Sequence, residues 1–296
     1  MSVFRLIEEE STTYGVSLLA RVLGVSRAGF YAWKRRSLSP RAVEDARISA
    51  VIVEAFEATF RCYGAPRMRA ELREAHGIRI SRKRTQRLMR ELGLEGVSRR
   101  RKRRSTTVRD KAGRGAPDLV QRRFDPAGAN QLWVADIKYV QTGQGFLYLA
   151  AVQDAWSRRI VGWAMRDDLS AELVLDALGM AVHQRGPASD GVIAHSDHGS
   201  QYTSLEYGRI AKLAGVALSM GSTGDPWDNA VAETFFASLE TELLRRERFE
   251  TREQARIRVF WYIECFYNSR RRHSYLGQIS PAEYETRNPP AEATAA

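Results

Sequence analysis

Apolar positions recur at helical spacing from the N-terminus. Leu18, Leu19, Val22 and Leu23 form one such set, Gly24 interrupts it, and Ser26 stands where it can cap a second helix carrying Phe30, Tyr31 and Trp33. The pattern predicts a helix-turn-helix outline. A second outline follows, with helices expected over residues 44–59 and 66–75, a break at Gly77, and Ser81 capping the segment RKRTQRLMREL. In that last helix Leu88, Met89 and Leu92 can face inward, while Arg82, Lys83, Arg84, Arg87 and Arg90 crowd the remaining surface. Periodicity then vanishes over residues 97–123, where the string SRRRKRRSTTVRDKAGRGAPDLVQRR reads as a basic linker.

Beyond the linker the period changes from helix to strand. Residues 131–140, 146–154 and 160–165 are apolar, aromatic and β-branched runs joined by short connections containing Gly143, Gly145 or Ser157, which predicts an antiparallel meander. A helix (171–184), a strand (192–195), a helix (205–214), a strand (216–219) and a long helix (229–244) then alternate, as parallel strands with crossovers do. The expected architecture is a mixed five-stranded α/β sheet flanked by helices, preceded by an all-α region. A final helix over residues 251–269 is rich in aromatics and ends at Arg270, Arg271 and Arg272. The expected divisions are 1–40, 41–97, the linker 98–123, a core 124–245 and a helical, basic extension 246–296.

Charge sharpens the picture of the N-terminal half. Of 46 lysines and arginines against 35 acids, residues 61–123 carry 21 basic and 6 acidic side chains, so the whole excess sits in one block. A concentrated cation beside tandem helix-turn-helix outlines suits a phosphate backbone. A helical bundle with a charged outer face is the plainer alternative. The expected DNA contacts are the five basic residues of the third helix, then Arg99, Arg100, Arg101, Lys102, Arg103 and Arg104 of the linker, and the arginines at 270–272. No apolar run reaches membrane-spanning length, MSVFRLIEEE lacks the pattern of a secretory signal, and the two cysteines exclude a disulfide framework. A reducing cytoplasm is the expected compartment.

Three acids sit where folding alone does not explain them. Asp136 interrupts the apolar strand LWVADIKYV, Asp197 follows the strand VIAHS at its carboxyl end, and Glu233 lies early in the helix after GDPWDN. On that helix Val231, Phe235, Phe236, Leu239 and Leu243 fill one arc, and Glu233 falls at its edge. Carboxylates that converge repel one another, so such a cluster makes sense as a seat for hard divalent cations such as magnesium or manganese. Two ions about 4 Å apart can drive in-line displacement at a phosphodiester without a protein nucleophile. Surface acids at loop ends are the bland alternative. His195 and His198 bracket Asp197, and either orients the carboxylate, meets phosphate or is structural; Gln201 and Tyr202 can reach DNA. Asp154 is a rival ligand but more simply caps a turn, and Trp227 reads as a packing wedge with base stacking as its alternative.

These strings resemble a known family. WVADIKYV, HSDHGSQYTS, GDPWDNAVAETFFASLETEL and YNSRRRHSYLGQISPAEY are similar to the insertion-sequence transposases of the family numbered three, downstream-frame (OrfB) type, and 35 residues separate Asp197 from Glu233 as in that group. The resemblance covers residues 15–285 and implies a ribonuclease-H-like core of the retroviral-integrase kind. It further implies that Asp136, Asp197 and Glu233 ligate two Mg²⁺ ions, with Mn²⁺ able to substitute, and that the chain cleaves element ends and joins the 3′ hydroxyl to target DNA. A homo-oligomer on DNA, an upstream-frame product as fusion or partner, and a bacterial, nucleoid-associated location are implied as well. One position departs from the family, which often carries lysine or arginine seven residues after the glutamate: here that residue is Glu240, and Arg245 or Arg246 is the expected substitute. A non-catalytic DNA-binding regulator and a metal-dependent nuclease are the competing functional classes.

Overall fold

The computed structural model describes residues 3–37, 39–97, 116–120, 123–186, 191–197, 199–221 and 230–289. These fall into two compact units, Met1–Val51 and Ile52–Ala296. The division lies inside a single helix.

The first unit holds α1 (Val3–Glu10), α2 (Val16–Val22), α3 (Arg27–Lys34) and the start of α4 (Pro40–Ala58). Its small core is aromatic, with the Phe30 ring 6.3 Å from Phe4 and 6.1 Å from Trp33. Ser26 caps α3 by accepting the Gly29 amide, as the sequence pattern predicts. The helix α1 was not foreseen, because its apolar residues are too few to set a period against three consecutive glutamates.

The second unit begins with the end of α4, followed by α5 (Ala65–Glu74) and α6 (Arg82–Glu91). Ser81 caps α6 through the Arg84 amide, and Leu88 and Met89 are buried beneath it. The sheet follows: β1 (Leu132–Thr142), β2 (Gly145–Asp154) and β3 (Ile160–Arg166) form the antiparallel meander, then α7 (Ala171–Arg185), β4 (Val192–Ser196), α8 (Leu205–Leu213) and β5 (Val216–Met220). Strand order is β3-β2-β1-β4-β5, with β4 parallel to both β1 and β5. This is the mixed five-stranded sheet expected from the pattern.

The period-two alternation of β1 sorts its side chains between two layers. Trp133 and Ala135 join Val161, Leu173, Ala177 and Tyr207 on the α7 and α8 side, while Leu132 and Val134 meet Val231 and Ala232 on the other. Packing on the first side is tight at Gly162, where an added Cβ would stand 2.1 Å from the Ala177 carbonyl oxygen. The other side is covered by α9 (Ala230–Leu239), which passes directly into a π-helical segment, Glu240–Leu244.

The last elements are α10 (Arg252–Phe260), a second π-helical segment (Trp261–Asn268) and α11 (Pro281–Arg287). They fasten the end of α4 and α5 to the core. Phe60 lies 4.7 Å from Phe266 and 5.1 Å from Trp261, Tyr63 Oη accepts the Arg272 amide at 2.8 Å, and Arg272 donates to Glu71 at 2.7 Å. No helix of the described residues is long and apolar enough to cross a membrane.

Candidate active site

Asp136 shares the α9-facing side of β1 with Leu132 and Val134, so strand alternation aims its carboxylate at the helix that carries Glu233. Across the parallel pair, Val134 is in register with His195. Counting on two residues brings Asp197 level with Asp136, just past the end of β4. Glu233 stands in the first turn of α9, exposed, while Val231, Phe235, Phe236 and Leu239 of the predicted arc are buried.

Electrostatics tie the three acids together. Asp136 is pushed up to about 7, first by burial, then by the charge of Asp197; the Ile137 amide opposes this at 2.7 Å, and Glu233 adds a further upward push that Lys138 partly offsets. Glu233, though largely exposed, is also raised, by the partial desolvation of its carboxylate. Asp197 Oδ1 accepts the Gly199 amide at 3.0 Å, and this turn leaves the carboxylate exposed. Beneath them Tyr202 is only 2% exposed, edge-on to Tyr207, and its hydroxyl has no hydrogen-bond partner among the described residues. Burial and Tyr207, then Asp136 and Asp197, drive its hydroxyl well above the usual range.

Hard carboxylate oxygens, one of them raised by burial and by the charges of its two neighbours, fit a divalent cation. Among the described residues, however, no three acidic, histidine or cysteine side chains gather closely enough to hold an ion together. The segment 222–229, which leads into α9 and includes Trp227, lies outside the described residues.

Other expected site residues take different places. Asp154 is fully buried and accepts the Asn130, Trp156 and Ser157 amides at 2.7, 3.0 and 2.9 Å, so it organises the turn after β2. His195 is buried, with Nδ1 2.9 Å from Ser219 Oγ and its ring against Phe124, a structural position. Gln201 donates to the Leu169 carbonyl.

Three of the expected DNA contacts are corrected. Tyr202 is enclosed by the core, Arg271 is 2% exposed and held by Glu242, and Arg272 is 7% exposed and held by Glu71, so none reaches a duplex. Arg270 remains exposed, as do Arg82, Lys83 and Arg90; Arg84 and Arg87 are half-buried on the same helix, Arg87 paired with Glu91. Residues 99–104 and His198 lie outside the described residues.

Near Glu233, the position expected to be basic behaves unexpectedly. Glu240 accepts Lys138 Nζ and Arg245 Nε, each at 3.1 Å. Arg246 instead turns to the Phe60 carbonyl and Cys62. Sequence reasoning passed over Lys138, whose only signal is its place two residues after Asp136.

Known proteins resemble this chain along most of its length. Residues 126–226 match an integrase core domain family, residues 233–288 a second integrase core domain family, and residues 43–103 an HTH-like domain family. The chain is 38% identical over 287 residues to the transposase InsF for insertion sequence IS3A of Escherichia coli (strain K12), covering 95% of this chain and 98% of that protein. Over 266 residues it is 41% identical to an uncharacterized 31 kDa protein of insertion element IS600 from Shigella sonnei, covering 90% of this chain and 97% of that one. A chain from the simian T-cell lymphotropic virus intasome in complex with PP2A regulatory subunit B56 gamma aligns over 77% of this chain and 78% of its own, with a TM-score of 0.46 and 16% identity.

Proposed function

Because the chain belongs to the IS3-type insertion-sequence transposases, with an integrase core, we propose that Asp136, Asp197 and Glu233 form the acidic centre at which it cuts and joins DNA. The observation that carries this reading is the register that sets Asp197, just past the end of the neighbouring strand, level with Asp136 on the side of β1 that the helix of Glu233 covers. Acids this costly to bring together have a use when they share cations.

The centre would take two Mg²⁺ ions, or Mn²⁺. When bound, the metal supplies Lewis-acid polarisation of the phosphodiester and stabilises the charge on attacking and leaving oxygens. The chain's own part is positional. Asp136 is fixed by the Ile137 amide and Asp197 by the Gly199 amide, while the buried arc of α9 sets the direction of Glu233. With no protein nucleophile in this arrangement, the attacking group is water for strand cleavage and the DNA 3′ hydroxyl for joining.

DNA is held outside the centre by α6 through Arg82, Lys83 and Arg90, together with Arg270 and the basic stretch 98–123. A homo-oligomer assembled on two element ends, the upstream-frame product as fusion or partner, and a cytoplasmic, nucleoid-associated location complete the reading. The test is strand transfer on a labelled fragment bearing the element's end, with magnesium, comparing the wild-type chain with Glu233→Gln. Joined products that vanish in the variant support the proposal. DNA that is bound but never cut, even with the upstream-frame product supplied, refutes it and favours a DNA-binding regulator.

A further inference from the structure

Strand β1 and the helix above it oppose each other at two levels. At one, Asp136 faces the charge of Glu233; two residues along the strand and seven along the helix, Lys138 meets Glu240 at 3.1 Å. Strand rise puts Lys138 about 7 Å beyond Asp136 on the same face. Neither partner is sealed in, since the Lys138 side chain is 31% exposed and that of Glu240 22%. Burial pulls the Glu240 carboxyl upward, but Lys138 and Arg245 outweigh it and keep the group ionised below the usual carboxylate range.

A partly exposed ammonium beside a phosphodiester-cutting centre has two anions available to it. Glu240 is one, and a phosphate of the bound strand is the other. Both offer charged oxygens to the same donor. An ion pair this open to water contributes little by itself, whereas a phosphate contact adds the gain of counterion release, so exchange favours DNA when DNA is present. We infer that Lys138 is a backbone contact for the strand entering the active site, and that Glu240 is an internal phosphate mimic holding it in place until that strand arrives. The inference rests on the active-site reading above and assigns a DNA-contacting role to Lys138 and a positioning role to Glu240.

The test is equilibrium binding of a short fluorescein-labelled DNA duplex of mixed sequence, in EDTA, across a series of salt concentrations. Lys138→Gln should flatten the dependence of log affinity on log salt by about 0.9, one phosphate contact, and Lys138→Arg should restore it. Glu240→Gln should tighten binding about two- to five-fold, the exchange worth of an exposed ion pair. Combined with Lys138→Gln, that gain should disappear. An unchanged slope in Lys138→Gln, or a Glu240→Gln gain that persists without Lys138, overturns the inference, since the acid would then act by general repulsion or through Arg245. Because this readout needs neither metal nor cleavage, it is separable from the active-site assignment, which stands or falls on strand cutting by the wild-type chain.

Discussion

Arg271 grips Glu242 with two parallel hydrogen bonds inside the core, Nε to Oε2 at 2.7 Å and Nη2 to Oε1 at 2.6 Å. Both side chains are almost wholly enclosed, and Tyr262 and Arg67 complete the carboxylate's shell at 2.8 and 3.1 Å. The pair joins the turn after the second π-helical segment to the continuation of the helix that bears Glu233.

Removing one partner should therefore be severe. Arg271→Met leaves a buried carboxylate short of its main countercharge and is expected to lower stability by about 3–5 kcal/mol, read as a shift in the urea midpoint. Arg271→Met with Glu242→Leu should recover part of that loss. Burial raises Glu242, but Arg271, Arg67 and Tyr262 more than reverse this and hold it below the usual range. A depressed acid stabilises the fold above its unfolded pKa, and that stability is lost as pH falls through the folded value, so the wild-type chain should lose this increment on acidification.

Asp136 has the opposite sign. With its folded value near 7 against 3.8 for a free side chain, the metal-free fold binds the proton more tightly than the unfolded chain does. That stability is present at low pH and lost as pH rises from about 4 to about 7. Asp136→Asn in EDTA should raise stability at about pH 8 by up to roughly 4 kcal/mol and leave it little changed at about pH 4. Equal urea midpoints for the two proteins at the higher pH would count against the burial, and the like-charge crowding added to it, that raise Asp136.

The basic face of α6 makes a separate, quantitative claim. Arg82, Lys83 and Arg90 are exposed on it. Replacing all three by alanine should weaken duplex binding and flatten the salt dependence of log affinity by about 2.7, if each meets one phosphate. An unchanged slope would move the contact elsewhere.

What could be read in the sequence was local. The serines that cap α3 and α6, the alternation that makes β1 two-faced, and the apolar arc of α9 are set by neighbours a few residues away. The arginine cluster at 270–272 shows where that logic stops. Three consecutive arginines resemble a solvated, DNA-facing patch, yet Arg271 finds Glu242 29 residues back and Arg272 finds Glu71 201 residues back. No periodicity encodes a partner at that distance. Tyr202 misled for the same reason, since its enclosure depends on Tyr207 and the sheet floor rather than on the polar string around it. The helix α11 leaves no apolar period in the sequence either, although its Glu285 bridges Arg159 and Arg185.

Close approach of helix to sheet is tested at Gly162. A methyl there would stand 2.1 Å from the Ala177 carbonyl and 2.7 Å from the Ala181 amide nitrogen, both backbone atoms of α7 that cannot rotate aside. Gly162→Ala should destabilise by about 3 kcal/mol through displacement of that helix. Thermal unfolding that matches the wild type would mean α7 sits farther from β3 than described.

Asp136 and Asp154 are both enclosed acids of the β1–β2 pair, and their substitution should fail in different ways. Asp154 accepts three backbone amides and the Ser157 hydroxyl, leaving Oδ1 committed to the turn between β2 and β3 and Oδ2 to Asn130 ahead of β1. Asp136 accepts one amide and otherwise faces Asp197 and Glu233. Asp154→Asn loses charge-assisted bonds and should cost about 2 kcal/mol of stability, while the folded fraction still cuts and joins DNA. Asp136→Asn should fold at least as well as the wild type, bind duplex at least as tightly, and cut nothing. Comparing product formed per folded molecule, with folding monitored by near-ultraviolet circular dichroism, separates the two. If Asp154→Asn abolished cutting while remaining folded, and Asp136→Asn did not, the acid at the end of β2 would replace the one in the middle of β1 at the centre of the chemistry.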